Sequence, residues 1–281
     1  MRDKLYIILP VHNRCEVTRR FIECLKVQTF QGFHLVLIDD GSSDSTVEMV
    51  SNNIDSLTVI TGNGDWWWAG SLQQGYRWLQ RQRTLASDIV LIINDDTEFG
   101  IEFLSNALAF LQKRESTLLL AKCYCRQTGM LLDGGVHADW KNFSFQQAKT
   151  PEEINCFSTR GLFMRVTDFF KIGGFHPTLL PHYTSDYEFT LRAHRLGMNL
   201  IADPSCKLEM DQSTTGFHDV YYGSLTISLK RLFSIKSTHN PLVLSAFIAL
   251  SCPYRYMLHN LYRVWSTFLI NFYKIVRMSA S

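Results

Sequence analysis

Ile89-Val90-Leu91-Ile92-Ile93-Asn94-Asp95-Asp96-Thr97 is the stretch on which the reading of this 281-residue chain turns. A short unbroken apolar run rich in β-branched residues is the pattern of a strand buried on both faces, as in a parallel sheet. Open α/β sheets bind ligands outside the carboxyl ends of their strands, and here that end carries two adjacent acids. Such a pair suits a divalent cation holding a phosphorylated substrate, because magnesium favours one or two carboxylates plus phosphate oxygens. Solvated acids in a strand-end turn are the plainer alternative.

Outward from this run, strand and helix patterns alternate. Leu5 to Val11, Phe33 to Ile38, Leu57 to Thr61 and Leu118 to Cys123 read as further strands. Between them apolar residues recur at helical spacing: Val17, Phe21, Cys24 and Leu25; Val47, Val50 and Ile54; Leu72, Tyr76 and Leu79; Ile101, Leu104, Leu108 and Leu111. Repeated βα units predict a mostly parallel sheet with right-handed crossovers. Residues ~125–160 are less regular, with Gly129, Gly134 and Gly135 punctuating hairpin-like pieces, and Gly161 to Arg165 reads as another strand. Ser185-Asp186-Tyr187-Glu188 has the capping-box pattern and opens a helix that ends at Gly197.

A hydrophobic content of 46% with 19% charged residues belongs to a folded chain, not a disordered one. The net charge of +2 is unevenly spread. Residues 1–219 hold 21 Lys and Arg against all 26 acids, whereas residues 220–281 hold seven cations and no acid. Such a split predicts a tail that faces something anionic. The seven cysteines are scattered without zinc-site spacing, which fits a reducing compartment. Leu5-Tyr6-Ile7-Ile8-Leu9 runs into Pro10-Val11-His12-Asn13 with no small-residue cleavage site, so it reads as the first strand and not as a signal peptide.

A second acid pair closes the second strand: Ile38-Asp39-Asp40-Gly41-Ser42-Ser43-Asp44. Carboxylates there suit a ribose or a base, while Asp44 alone could serve only as a helix N-cap. Taken with Pro10-Val11-His12-Asn13, Asn94-Asp95-Asp96-Thr97, Gly173-Gly174-Phe175 and the acidic helix start at Ser185-Asp186-Tyr187-Glu188, the order and spacing resemble family 2 glycosyltransferases over residues ~4–215. Within that family the chain looks most like bacterial rhamnosyltransferase-like enzymes of surface-polysaccharide assembly.

The resemblance implies an α/β GT-A fold: a Rossmann-like, mixed and mostly parallel sheet flanked by helices, here with a C-terminal helical extension. The implied division is 1–218 for the catalytic domain (1–123 nucleotide-binding, 124–218 acceptor-binding) and 219–281 for a basic aromatic tail. It also implies an inverting hexosyl or rhamnosyl transfer from a UDP- or dTDP-linked sugar to a glycan or polyprenol-linked acceptor. A divalent cation, Mg2+ or Mn2+, would assist, and nucleic acid is not an expected partner. Carried over by motif, Pro10 and His12 would sit beside the nucleotide, and Asp40, with Asp39 behind it, would hold base and ribose. Asp96 would be the metal ligand and Asp95 its supporting acid, with Asn94 in place of the motif's first acid. Asp211 or His218 would supply a further ligand. Asp186 aligns with the general base, although acids in a first helical turn also stabilise the helix dipole without other purpose. Trp67, Trp68 and Gly70, expected in a loop after the third strand, are candidates for sugar contact. So many tryptophans are costly to leave wet.

Other functions remain to be weighed. Paired acids at strand ends also describe phospho-acceptor receiver domains, which need only ~120 residues, and a non-catalytic sugar- or nucleotide-binding relative would keep the same fold. A sugar-1-phosphate nucleotidyltransferase would need a Gly-rich, Arg/Lys-bearing loop after strand one, which this sequence lacks. In the tail, Tyr221, Tyr222, Phe233, Phe247, Tyr254, Tyr256, Tyr262, Trp265, Phe268, Phe272 and Tyr273 stand among the seven cations. The apolar run Leu242 to Cys252 is too short to span a bilayer, which takes about 20 residues. Basic aromatic helices lie in membrane interfaces, so the chain is expected in the cytoplasm, peripheral at the inner face of the cytoplasmic membrane. A helical lid or an oligomer interface are the competing readings of the tail.

Overall fold

The computed structural model describes residues 4–211, 230, 232–235 and 237–280. His218, Tyr221 and Tyr222, singled out above, lie outside the described residues. At the centre of the main sheet is β1 (Leu5–Val11), every residue of it buried. It pairs in parallel with β2 (Phe33–Asp39) on one side and β4 (Ile89–Ile92) on the other, and β2 pairs in parallel with β3 (Leu57–Thr61). The helices between them are α1 (Cys15–Lys26), α2 (Thr46–Ser51) and α3 (Trp67–Gln80). This is the alternating half that the apolar periodicity predicts.

Period-two alternation sorts the strands' side chains into two cores. Leu5, Ile7, Leu9, Leu91 and Ile93 face α1 and α4 (Phe103–Gln112) with Phe21, Leu25 and Leu104. Tyr6, Ile8, Val90 and Ile92 face α3, α5 (Val166–Ile172) and α6 (Ser185–Arg195) with Leu72, Phe169 and Phe189. The result is a three-layer sandwich in which both faces of the central strands are dry.

Beyond β4 the sheet turns mixed. The β10 strand (Leu162–Arg165) runs antiparallel between β4 and β6 (Thr117–Cys125). Next to β6 lies β11 (Asn199–Met210), parallel to it, and the three-residue β5 (Thr97–Phe99) closes that edge. Short β7 (Leu131–Asp133) pairs with β6, and β8 (Val136–Asp139) with β9 (Ser144–Gln147) forms a separate hairpin.

In the tail, α7 (Pro241–Ser251) begins at Asn240, whose Oδ1 accepts from the N–H of Leu242 at 3.0 Å. The last helix is α8 (Tyr254–Ala280). A third core fixes both to the second half of the sheet-bearing unit: Phe247, Ile248 and Val264 meet Trp140, Leu180 and Leu191. Buried Asn260 donates to the Trp140 carbonyl at 2.8 Å. Among the described residues, no helix is long and apolar enough to cross a membrane.

Two local expectations need correction. The three tryptophans do not sit in a loop: Trp66 is the N-cap of α3, and Trp67 and Trp68 are its first residues. Nor is Ser185 a capping-box residue. Its hydroxyl donates to the His182 carbonyl, and Glu188 turns away to make a bidentate pair with Arg192 at 3.0 and 2.8 Å. Arg192 then donates to the Ile172 and Gly174 carbonyls, so Glu188 serves a clamp on the Gly173-Gly174-Phe175 turn. A buried carboxylate needs its partner more than a helix end needs a cap.

Candidate active site

Three loops leave the sheet at the carboxyl ends of β1, β2 and β4 and lock together. At the end of β1, the His12 ring donates from Nδ1 to the Asp40 carbonyl at 2.6 Å. Because a carbonyl only accepts, this contact fixes the tautomer, leaving Nε2 to accept from the Asn13 amide at 3.1 Å. Asn13 holds a left-handed φ of 51° while its N–H donates to Ser42 Oγ and its Oδ1 accepts from Ser43 N–H. Asp44 accepts from Thr46 N–H and Cys15 N–H, tying the starts of α2 and α1 together. Those bonds hold the Asp44 carboxyl below its ordinary range, the Thr46 hydroxyl contributing most.

The acids of β2 are buried. Asp39 accepts from Ser42 N–H at 3.1 Å. Asp40 accepts three backbone N–H groups: Gly64 at 2.9 Å, Trp66 at 2.9 Å and Trp67 at 3.1 Å. Its carboxylate therefore shapes the turn into α3. That turn is tight enough to force Trp67 to φ 55°, and strain of this kind collects at ligand sites. Pro10 is buried within β1 opposite Ile38, while His12 is exposed at the rim. Gly70 is buried against Trp66, whose Cβ would lie 3.0 Å from any side chain added there.

After β4, Asp95 is buried and accepts from Thr18 Oγ1 at 2.8 Å; Arg14 bridges it at 3.2 Å and Asp96 at 3.4 Å. Burial pushes the Asp95 carboxyl up to about 6, with Arg14 and Thr18 opposing the rise. Two oxygens beside this bridge, Asn94 Oδ1 and Asp96 Oδ1, are buried with no hydrogen-bond partner. Buried acceptors are rarely left so, and hard oxygens without donors are what a magnesium-type ion uses. The pair fits such an ion, provided phosphate or water completes its shell. Among the described residues no three His, Cys, Asp or Glu side chains cluster at metal-ligand spacing. Asp211 follows directly on β11, close enough to influence Cys125, and His218 lies outside the described residues.

Asp186 sits in the first turn of α6, after Thr184 at a left-handed φ of 67°. The indole Nε1 of Trp68 donates to its Oδ1 at 2.7 Å, and Thr159 N–H donates to its Oδ2 at 3.4 Å. Surrounding protein raises its carboxyl above the ordinary range, while Trp68, Thr159 and Arg160 oppose the shift. Arg160 is the link to the other acids. It acts electrostatically on both Asp186 and Cys123, and Cys123 also feels Asp133 and Asp96. Asp40 and Asp186 are thus linked through the Trp66–Trp68 turn, and Arg160 and Asp96 both act on Cys123.

Sequence reasoning missed Arg14, Thr18, Asp133, Thr159 and Arg160. Asp133 carries a readable signal, since it closes a short apolar strand before Gly134-Gly135; it accepts from Ser158 Oγ at 2.5 Å. Arg160, whose Nε is buried without a partner, carries none.

Known structures share this architecture. A crystal structure of TarS from S. aureus superposes with a TM-score of 0.62 at 18% identity, covering 96% of this chain and 54% of that one. TarS 1–349 in complex with UDP-GlcNAc gives 0.60 at 17% identity, covering 96% and 92%. The mannosyltransferase PcManGT from Pyrobaculum calidifontis, in complex with GDP-Man and Mn2+, gives 0.55 at 15% identity, covering 89% and 74%. The fold is therefore the GT-A type of nucleotide-diphospho-sugar transferases. Residues 6–172 match the family "Glycosyl transferase family 2", and the chain belongs to that family. An uncharacterized glycosyltransferase of Haemophilus influenzae is 44% identical over 50 residues, which are 17% of this chain and a fifth of that relative's length.

Proposed function

We propose that this glycosyltransferase moves a hexosyl or rhamnosyl group, with inversion, from a UDP- or dTDP-linked donor to a hydroxyl of a glycan or polyprenol-linked acceptor in cell-surface polysaccharide assembly. Residues 1–218 form the catalytic unit, with nucleotide bound by 1–123 and acceptor by 124–218, at the inner face of the cytoplasmic membrane. The observation that carries the reading is the Trp68–Asp186 hydrogen bond. It joins the turn built on Asp40, on the donor side, to the one acid of α6 placed to take a proton.

In this reading Pro10, His12 and Asp39 border the nucleotide, and Asp40 fixes the turn that presents Trp67 and Trp68 to the sugar. Asp186 accepts the proton of the acceptor hydroxyl as its oxygen attacks the anomeric carbon from the face opposite the leaving nucleoside diphosphate. General-base help of this kind is worth roughly 10²–10⁴-fold, and burial that raises the carboxyl's proton affinity makes it a better acceptor. Trp68 and Thr159 aim the carboxylate, which supplies orientation. Arg160 brings positive charge to the same carboxylate. Asp96 with Asn94 would hold Mg2+ or Mn2+, and Asp95, anchored by Thr18 and Arg14, would back it. When bound, such an ion stabilises the charge on the departing diphosphate.

The test is a panel of nucleotide sugars assayed for hydrolysis and transfer with manganese present. Wild type should turn over one donor class, and Asp186→Asn should bind that donor while losing roughly 10²–10⁴-fold in rate. If no nucleotide sugar binds, or Asp186→Asn keeps full activity, the proposal is wrong.

A further inference from the structure

Helix α8 shows two apolar faces, and among the described residues only one is packed against the catalytic unit. Asn260 and Val264 are buried against the catalytic unit. On the other side Leu258, Tyr262, Trp265, Leu269, Phe272 and Val276 recur at steps of four and three residues and are all exposed, Leu258 at 81% and Tyr262 at 72%. At about 100° per residue these six fall within a single arc roughly 80° wide, nearly opposite Asn260. Nine of the twenty exposed large hydrophobic residues among those described lie on this one helix. A stripe of that length is not ordinary surface scatter.

Charge decides what covers it. The helix holds Arg255, Arg263, Lys274 and Arg277 and not one acid. Arg255, Lys274 and Arg277 are exposed, and Arg255 and Arg277 border the apolar arc on one flank. A second copy would bring like charges together, with no acid available for the opposite-charge pairs that specify coiled coils. An anionic lipid surface answers both features, since it takes the apolar stripe into the acyl boundary and the cations among the headgroups. Tyr and Trp in the stripe suit that boundary, each having an apolar body and a polar tip.

We propose that α8 is an interfacial helix that docks the protein on an anionic membrane through the Leu258–Val276 stripe. The docking stands independently of the transferase reading. It has a consequence for that reading: α7, bound to α8, packs on α6, so the helix carrying Asp186 is held close to the lipid surface.

Co-flotation of the full chain with phosphatidylcholine vesicles, with and without about one third phosphatidylglycerol, tests this. Wild type should float with the anionic vesicles and at least ten-fold less with neutral ones. Leu258→Glu/Leu269→Glu should lose at least ten-fold in binding with an unchanged melting temperature, because both positions are exposed. Lys274→Glu/Arg277→Glu should lose the preference for anionic lipid. Failure of wild type to float, equal binding to neutral vesicles, or retention by Leu258→Glu/Leu269→Glu would each overturn the proposal. So would a dimer in light scattering that this double substitution dissolves, since the stripe would then belong to a second copy.

Discussion

Trp68 Nε1 donates to Asp186 Oδ1 across 2.7 Å and 118 residues of sequence, so the start of α3 sets the orientation of the acid that opens α6. Trp68→Phe removes that donor and keeps the ring. The lost hydrogen bond favoured the charged carboxylate, so the Asp186 pKa rises further above its ordinary range. A general base works above its pKa, and activity is lost as pH falls through it. The acidic limb of kcat against pH should therefore move to higher pH, with kcat down about ten-fold at neutrality and KM little changed. An unshifted limb would assign Trp68 to packing alone.

Asp40 makes a different kind of claim, one about stability. Its carboxylate satisfies three half-buried backbone N–H groups, and hydrogen bonds to a charged group contribute about 1.5–3 kcal/mol each, with less than additive sums. Asp40→Ala should lower stability by about 2–4 kcal/mol in urea denaturation and weaken nucleotide binding. Asp40→Asn turns an N–H₂ toward at least one backbone donor, so it should cost nearly as much. If Asp40→Asn leaves stability intact, the three bonds are not what holds the turn.

These two cases mark what could be read from the chain. The βα alternation and the strand-end acids were legible because each is a local pattern: period two in β1 and β4, helical spacing in α1 and α3, a carboxylate where the apolar run stops. Strand β11 was not, since Pro204 interrupts its pattern and the ladder to β6 slips between Asp203 and Lys207. Antiparallel β10 between β4 and β6 is a matter of long-range pairing that no window of sequence contains. In the site, Arg14 and Arg160 look like any other arginines until their partners, 82 and 26 residues away, arrive. The tryptophans misled because a run of large rings after a strand resembles a loop, whereas Asp40 folds it into a helix start.

The Gly173-Gly174-Phe175 turn yields a test of close packing. A Cβ on Gly174 would lie 2.2 Å from Gln73 Oε1, which accepts from Phe175 N–H at 2.6 Å. Gly174→Ala should cost about 1–3 kcal/mol by overpacking and loss of that bond. Gln73→Ala also loses the bond but opens the space. In a double-mutant cycle the pair should then cost clearly less than the two single losses added together, by 0.5 kcal/mol or more, as expected for residues in contact. Strict additivity in thermal or urea melts would show that the turn relaxes without Gln73.

A divalent cation at the proposed site would compete with Arg14 for the same acids. The guanidinium bridges Asp95 and Asp96 at 3.2 and 3.4 Å, while the facing oxygens of Asn94 and Asp96 are unpartnered. Removing one partner of a buried ion pair leaves an uncompensated charge; Arg14 is 35% exposed, so solvent screening reduces the cost. Arg14→Gln should accordingly melt lower than wild type in the presence of a chelator, by about 1–2 kcal/mol in stability. The same substitution leaves the acids free for a cation, so millimolar manganese should raise its melting temperature more than it raises that of wild type. Donor turnover should fall in Arg14→Gln even at saturating metal, because Asp95 is less firmly held. Equal manganese shifts in the two proteins would mean that Arg14 and the ion do not share a site.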